Sequence, residues 1–173
     1  TGYPDEKSKV DVWAVNGELD ERVVILELKA FDIKTGKLVD WENPREKKEY
    51  VLKGNKTTEL LGGLDIPNHD ETAVVGYLDD SASGARLARW VSWPEPLKFL
   101  HMSLDLKVTT EVVDDGAAVI LRTNAPAKGV VLSGCDSNGK GVAFDNNFID
   151  LVPEEEIKVG VSGLERHSVS VRF

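Results

Sequence analysis

The 173-residue chain is poor in the residues that most often carry chemistry: one cysteine, one methionine and three histidines. A lone Cys135 cannot form a disulfide within the chain, nor supply the thiolates of a zinc site. It is expected as a small, buried strand residue. His69, His101 and His167 are scattered, without the H-x-x-x-H or H-x-H spacing that places two imidazoles on one metal. There is no G-x-S-x-G elbow and no glycine-rich phosphate loop. No apolar run approaches the ~20 residues of a membrane-spanning helix. Positive charge is also scarce. Through Pro96 there are 13 basic against 19 acidic residues, and after it 8 against 11, so the halves carry −6 and −3 of the net −9. Neither half offers the basic face that phosphate backbones require, which argues against nucleic acid or an anionic membrane as partner. The first residues, Thr-Gly-Tyr-Pro-Asp-Glu-Lys-Ser, lack the apolar core of a signal peptide and read as the middle of a longer protein.

Helical periodicity is missing too, and short alternating segments fill the chain. Residues 22–33 are the clearest. Val24, Leu26, Leu28 and Ala30 share one face, and Glu27 and Lys29 the other, which is the period of a half-buried antiparallel strand. Further strands are expected at 9–15, 47–52, 57–61, 73–78 and 86–93. Turns are expected at Asn16-Gly17 and Lys34-Thr35-Gly36-Lys37, with residues 38–41 pairing back after the second. A loop is expected over Gly62-Gly63-Leu64-Asp65-Ile66-Pro67-Asn68, and a polar hairpin tip over residues 79–84. The second half repeats the pattern at 104–113, 117–123, 128–133, 142–144, 148–151, 157–161 and 167–173. Asp114-Asp115-Gly116 and Ser137-Asn138-Gly139-Lys140 carry hairpin signals. Short strands at regular spacing predict an all-β chain built as antiparallel sandwiches.

Between the halves lies Trp90-Val91-Ser92-Trp93-Pro94-Glu95-Pro96-Leu97-Lys98. Two prolines spaced two apart cannot occupy a central strand, and each keeps its predecessor extended. This predicts a stiff connector between two domains, 1–95 and 96–173. Trp90 or Trp93, or both, are expected to be buried there, holding the sandwiches in a fixed relation.

Candidate sites are few. Glu154-Glu155-Glu156 is the densest acidic run and follows Pro153, so a solvated turn is expected rather than the carboxylate pair of a glycosidase. Asp136-Ser137-Asn138-Gly139-Lys140-Gly141 opens like a calcium loop, but Lys140 stands at a ligand position and Asn147 where the bidentate glutamate belongs. A hairpin is expected instead. Trp13, Trp41, Trp90 and Trp93 are candidate sugar platforms, but packing is expected for each. Asn55-Lys56-Thr57 is a candidate N-glycosylation sequon on a loop. No catalytic, cofactor-binding or metal-binding residue emerges.

The motifs carry a likeness in order along nearly the whole chain. Val12-Trp13-Ala14-Val15-Asn16, then Leu26-Glu27-Leu28-Lys29-Ala30-Phe31-Asp32-Ile33, then Ala88-Arg89-Trp90-Val91-Ser92-Trp93-Pro94-Glu95-Pro96-Leu97-Lys98 resemble the C-terminal end of fungal β-mannosidases of glycoside hydrolase family 2. Asn146-Asn147-Phe148-Ile149-Asp150-Leu151-Val152-Pro153 resembles the D-N-x-F-D-L-x-P stretch of their terminal domain, departing at Asn146 and Ile149. Residues 157–164 continue it. The resemblance implies two immunoglobulin-like sandwiches in tandem. It implies a parent enzyme with N-terminal domains and a catalytic (β/α)8 barrel, which removes terminal β-linked mannose with retention. The two glutamates of that barrel match no position here, so the chain would be a non-catalytic part that braces it. The Trp-Pro-Glu-Pro-Leu-Lys form inclines toward an intracellular branch, and the Asn55 sequon toward a secreted one. A carbohydrate-binding module would instead expose coplanar aromatics, and a free-standing adhesion pair would have a polar surface throughout.

Overall fold

The computed structural model describes residues 9–41, 47–94, 97, 100–113, 118–135 and 140–163, and the backbone of 169–172. Among these residues the regular elements are thirteen strands. The chain divides into two compact units, Thr1–Ala30 with Leu38–Leu100, and Phe31–Lys37 with His101–Phe173.

The first unit holds β1 (Lys9–Asn16), β2 (Arg22–Asp32, whose last two residues count with the second unit), β3 (Lys48–Leu52), β4 (Lys56–Asp65), β5 (Thr72–Asp80) and β6 (Arg86–Ser92). A four-stranded sheet runs β3-β2-β5-β6, and β1 pairs with β4 in a two-stranded ladder. The alternation of β2 is as expected: Val24, Leu26, Leu28 and Ala30 are buried and enter one core with Val12 and Ala14 of β1. β5 is buried on both faces, because Val74 and Leu78 join that core while Ala73, Val75 and Tyr77 on the opposite face are buried as well. The Arg86 guanidinium lies 4.2 Å from the Tyr77 ring centroid, a cation–π contact. The expected hairpin tip is shorter than residues 79–84, since Asp79 and Asp80 remain in the strand. β6 ends at Ser92, before Pro94.

The Gly62-Gly63 stretch is not a loop. β4 continues to Asp65, pairing Val10 with Leu64 and Lys9 with Asp65. The ladder absorbs extra β4 residues at two register shifts, one opposite Asp11 and one between Val12 and Trp13. Such bulges leave one residue unpaired and twist the strand. Gly63 takes a φ of +66°, open to glycine without penalty. Its N–H donates to the Asp11 carboxylate at 2.6 Å. Pairing back after the Lys34-Thr35 turn is limited to single bonds, such as Val39 N–H to Ala30 O at 2.8 Å. Asn16 is buried, and its amide donates to Asp20 O and Leu52 O while its Oδ1 accepts from Glu18 N–H. The turn after β1 is thereby tied to β3.

The second unit holds β7 (Val108–Val113), β8 (Ala118–Thr123), β9 (Ala127–Gly134), β10 (Ala143–Phe144), β11 (Ile149–Leu151), β12 (Ile157–Ser162) and β13 (Val169–Arg172). Its sheets run β10-β12-β8-β7 and β11-β9-β13, with Val119, Leu121, Val130, Leu132, Leu151 and Val159 in the core between. β7 begins four residues later than the expected 104. Residues 105–107 are held by the Asn124 side chain instead of a ladder: it accepts from Lys107 N–H and donates to Asp105 O. The hairpin signals at 114–116 and 137–139 lie outside the described residues.

Trp90 sits opposite Gly76 in the β5–β6 pairing. A Cβ on Gly76 would fall 2.0 Å from the Trp90 ring, so the indole occupies the space the missing side chain leaves. We expect Gly76→Ala to displace the ring and lower unfolding stability by about 1–3 kcal/mol, read by chemical denaturation.

Asp32 organises the turn after β2. Partial burial alone would raise its pKa. That is outweighed by its Oδ1 accepting from the Thr35 N–H, the Thr35 hydroxyl and the Lys34 N–H, which together hold it below the ordinary 3.8. A lowered folded-state value means the ionised form stabilises the fold. That contribution is complete above the ordinary value and is lost as pH falls through the lowered one. Asp32→Asn should therefore be less stable than the parent at neutral pH, and its stability should fall less steeply with acidification. Melting temperature against pH checks both.

Candidate functional site

No catalytic constellation forms among the described residues. Among the described residues no three His, Cys, Asp or Glu side chains gather to hold a metal. His69 lies 3.0 Å from Asp70, and His101 is exposed; His167 lies outside the described residues. The acidic run is a turn, as expected. Glu154 takes a φ of +64°, Glu155 accepts from Val152 N–H at 3.4 Å, and Glu156 pairs with Arg122 at 2.6 Å. Arg122 also meets Glu111 at 2.9 Å. Glu156 first, then Glu111, raises the guanidinium pKa above its ordinary value, as hydrogen bonds to the charged form do. This is an ion-pair cluster with its carboxylates committed.

Asn147 has a backbone role. Its Oδ1 accepts from Leu132 N–H at 2.8 Å and Phe148 N–H at 3.0 Å, and its amide donates to Leu132 O at 2.9 Å. It copies a strand partner for β9 beside the short β11. Phe148 follows at a φ of +55° with its ring exposed. Asn55 is exposed with a φ of +51°, and its N–H donates to Glu18 O at 2.7 Å. Gly54 is required beside it, since a Cβ there would lie 1.9 Å from Leu19 O.

Two packing expectations are corrected. Cys135 is exposed, not buried. Val130 and Leu132 face the core, and Cys135, on the opposite parity, faces out. Of the tryptophans, Trp41 is 6% and Trp93 9% exposed, as packing requires. The Trp41 indole donates to Asp65 O at 2.8 Å. Trp90 is half-buried. Trp13, however, is 57% exposed. Val12 and Ala14 face the core, so the strand's alternation turns Trp13 and Val15 outward.

On this outward face of β1 and β4 an open indole adjoins two exposed carboxylates, Asp11 and Glu59. Trp13 is paired across the ladder with Glu59, and Val15 with Thr57. Asp11 lies two residues before Trp13 on the same strand face, about 7 Å away. At Gly62, a Cβ would sit 2.2 Å from Glu59 Oε1 and 3.8 Å from Asp11 Oδ1, so the two carboxylates converge over a bare backbone. The Lys9 stem passes 4.0 Å from the corresponding point on Gly63. Register shifts inside a ladder leave no simple sequence signature, so sequence reasoning missed this grouping; the parity of Trp13 between Val12 and Ala14 was its available signal.

A family described as the mannosidase Ig/CBM-like domain matches residues 8–98. The chain belongs to that family. A second family, described as an Ig-fold domain, matches residues 103–172. The mannosidase Ig/CBM-like chain is 35% identical over 166 residues to beta-mannosidase B of Thermothelomyces thermophilus, across 92% of its own length and 19% of that protein's. It is 30% identical over 175 residues to beta-mannosidase B of Emericella nidulans, across 98% and 20%. Its backbone resembles the crystal structure of a beta-D-mannosidase from Dictyoglomus thermophilum, with a TM-score of 0.67 over 98% of this chain and 20% of that one. At 12% identity that likeness is one of fold. The chain spans about a fifth of the length of these relatives. The expected tandem of immunoglobulin-like sandwiches, and its kinship with larger β-mannosidases, both hold.

The Asn147 bonds generate a prediction that separates a structural role from a calcium loop. Asn147→Ala should cost about 1–3 kcal/mol, because two backbone groups of Leu132 lose their partner. Calcium at millimolar excess should move the melting of neither the parent nor the variant, as scanning calorimetry will show.

Proposed function

We propose that this chain is the non-catalytic C-terminal part of a β-mannosidase. The parent enzyme would hydrolyse terminal non-reducing β-D-mannose residues with retention. Its acid/base and nucleophile would sit on a (β/α)8 barrel elsewhere in the polypeptide. The two sandwiches, divided at about residues 95 and 96, would brace that barrel and meet the N-terminal domains. The carrying observation is that the chain aligns over nearly its whole length with about a fifth of each beta-mannosidase B relative. The chemistry of the described residues supports it. The acidic run is engaged in a turn and an ion-pair cluster, and one Asp11 oxygen is committed to Gly63 N–H.

Asn55 is a proposed N-glycan site in a secreted form of the parent. It is exposed in the turn between β3 and β4, and the Lys56 and Thr57 of its triplet open β4.

The purified 173-residue chain should hydrolyse no aryl β-mannoside, while a polypeptide that joins it to the barrel should do so. In that longer enzyme, deleting this part should lower the melting temperature and speed thermal inactivation. Turnover by the isolated chain that disappears on Glu155→Gln would overturn the assignment.

A further inference from the structure

We infer that the outward face of β1 and β4, centred on Trp13, binds carbohydrate, as an accessory surface on which one neutral hexose unit stacks. The inference goes beyond the bracing role and is read from the isolated chain, so either can fail without the other.

Trp13 supplies the apolar half of such a contact. Its indole is 57% exposed at a position where burial was expected, and among the described residues no hydrogen bond engages its N–H. A pyranose presents one face of C–H groups, which packs on an aromatic face, and a rim of hydroxyls, which must be hydrogen-bonded. The rim partners are at hand. Glu59, the cross-strand partner of Trp13, is exposed, and among the described residues no cation pairs with it. Asp11 has one oxygen committed to Gly63 N–H and the other free to accept. Ionised carboxylates are pure acceptors and take vicinal hydroxyls in a bidentate manner. Glu59 Oε1 lies over Gly62, in the space a side chain there would fill, and the bonded Oδ1 of Asp11 approaches the same point, so both carboxylates sit at one edge of the Trp13 face.

Charge selects among occupants. A protein partner seated on this face would bury two carboxylates and would need matched cations to offset their desolvation. A cationic ligand would meet the indole and both carboxylates favourably. It would also meet Lys9, whose stem already reaches Gly63. A neutral polyol needs no counter-charge, and it satisfies the acceptors with its own hydroxyl donors while leaving them hydrated at the edge. The beta-mannosidase relatives make a β-linked mannan the first oligosaccharide to try.

The test is titration of the 173-residue chain with β-1,4-mannohexaose, followed by the indole N–H resonances and by calorimetry. The Trp13 signal, assigned with Trp13→Phe, should shift saturably, and the three other indoles should not. Trp13→Ala should weaken binding about tenfold or more, the loss of one stacking contact. Its melting temperature should be unchanged, because the ring is exposed. Glu59→Gln should weaken binding several-fold through loss of one charge-assisted bond. No saturable shift of Trp13, or affinity unchanged in Trp13→Ala, would overturn the proposal. Saturation by a lysine-rich peptide with none by mannohexaose would also overturn it, and make the patch a cation site.

Discussion

A strand in a sandwich has one face for the core and one for everything else. That constraint governs β1, and through it the most informative surface of the molecule. The two-stranded ladder of β1 and β4 must cover a four-stranded sheet that offers Val24, Leu26, Leu28 and Val74. Val12 and Ala14 answer those side chains, so Trp13 has no inward position left. Slipping the register by one would bury Trp13 and expose Val12, Ala14 and Asn16 together. Asn16 prevents it, because its buried amide is bonded to Asp20 O and Leu52 O at fixed places in the turn and in β3.

β4 meets the same constraint differently. Its length exceeds what β1 can pair residue for residue, and two register shifts absorb the excess. The glycine pair makes the first shift inexpensive, and the Asp11 carboxylate closes over the Gly63 N–H it exposes. The same shift brings Glu59 and Asp11 together over Gly62. A device that lets one strand cover the core therefore also assembles a polar rim beside an open indole. In β5 and β6 glycine works in the opposite sense: Gly76 is vacant so that Trp90 can lie across it and contribute apolar area to the first core.

The second unit closes its irregular segments with side-chain amides. Asn124 replaces a strand for residues 105–107, and Asn147 replaces one for Leu132. Asp150 accepts from Gly129 N–H at 2.7 Å beside the register shift of β11 and β9. Short strands such as β10 and β11 carry too few ladder bonds to fix their own register, and these amides and carboxylates supply the rest. These polar side chains are thereby committed to architecture.

The amino-acid sequence by itself determined the all-β class, the strand positions of β2, β3, β5, β8 and β12, and the termination of β6 before Pro94. Each rests on period-two alternation or on proline's missing N–H, which are local properties of the chain. The turn character of Glu154-Glu155-Glu156 was legible for the same reason. Tertiary structure alone decided the continuation of β4 through Gly62-Gly63, because a bulge exists only against a partner strand. It decided that residues 105–107 answer Asn124 rather than a ladder, because the bonding partner lies 17 to 19 residues along the chain. It decided the tryptophans too. Trp13 and Trp41 are the same residue in similar surroundings, yet the carbonyl of Asp65 waits for the Trp41 indole, 24 residues away, and the parity of a two-stranded ladder leaves Trp13 to the solvent.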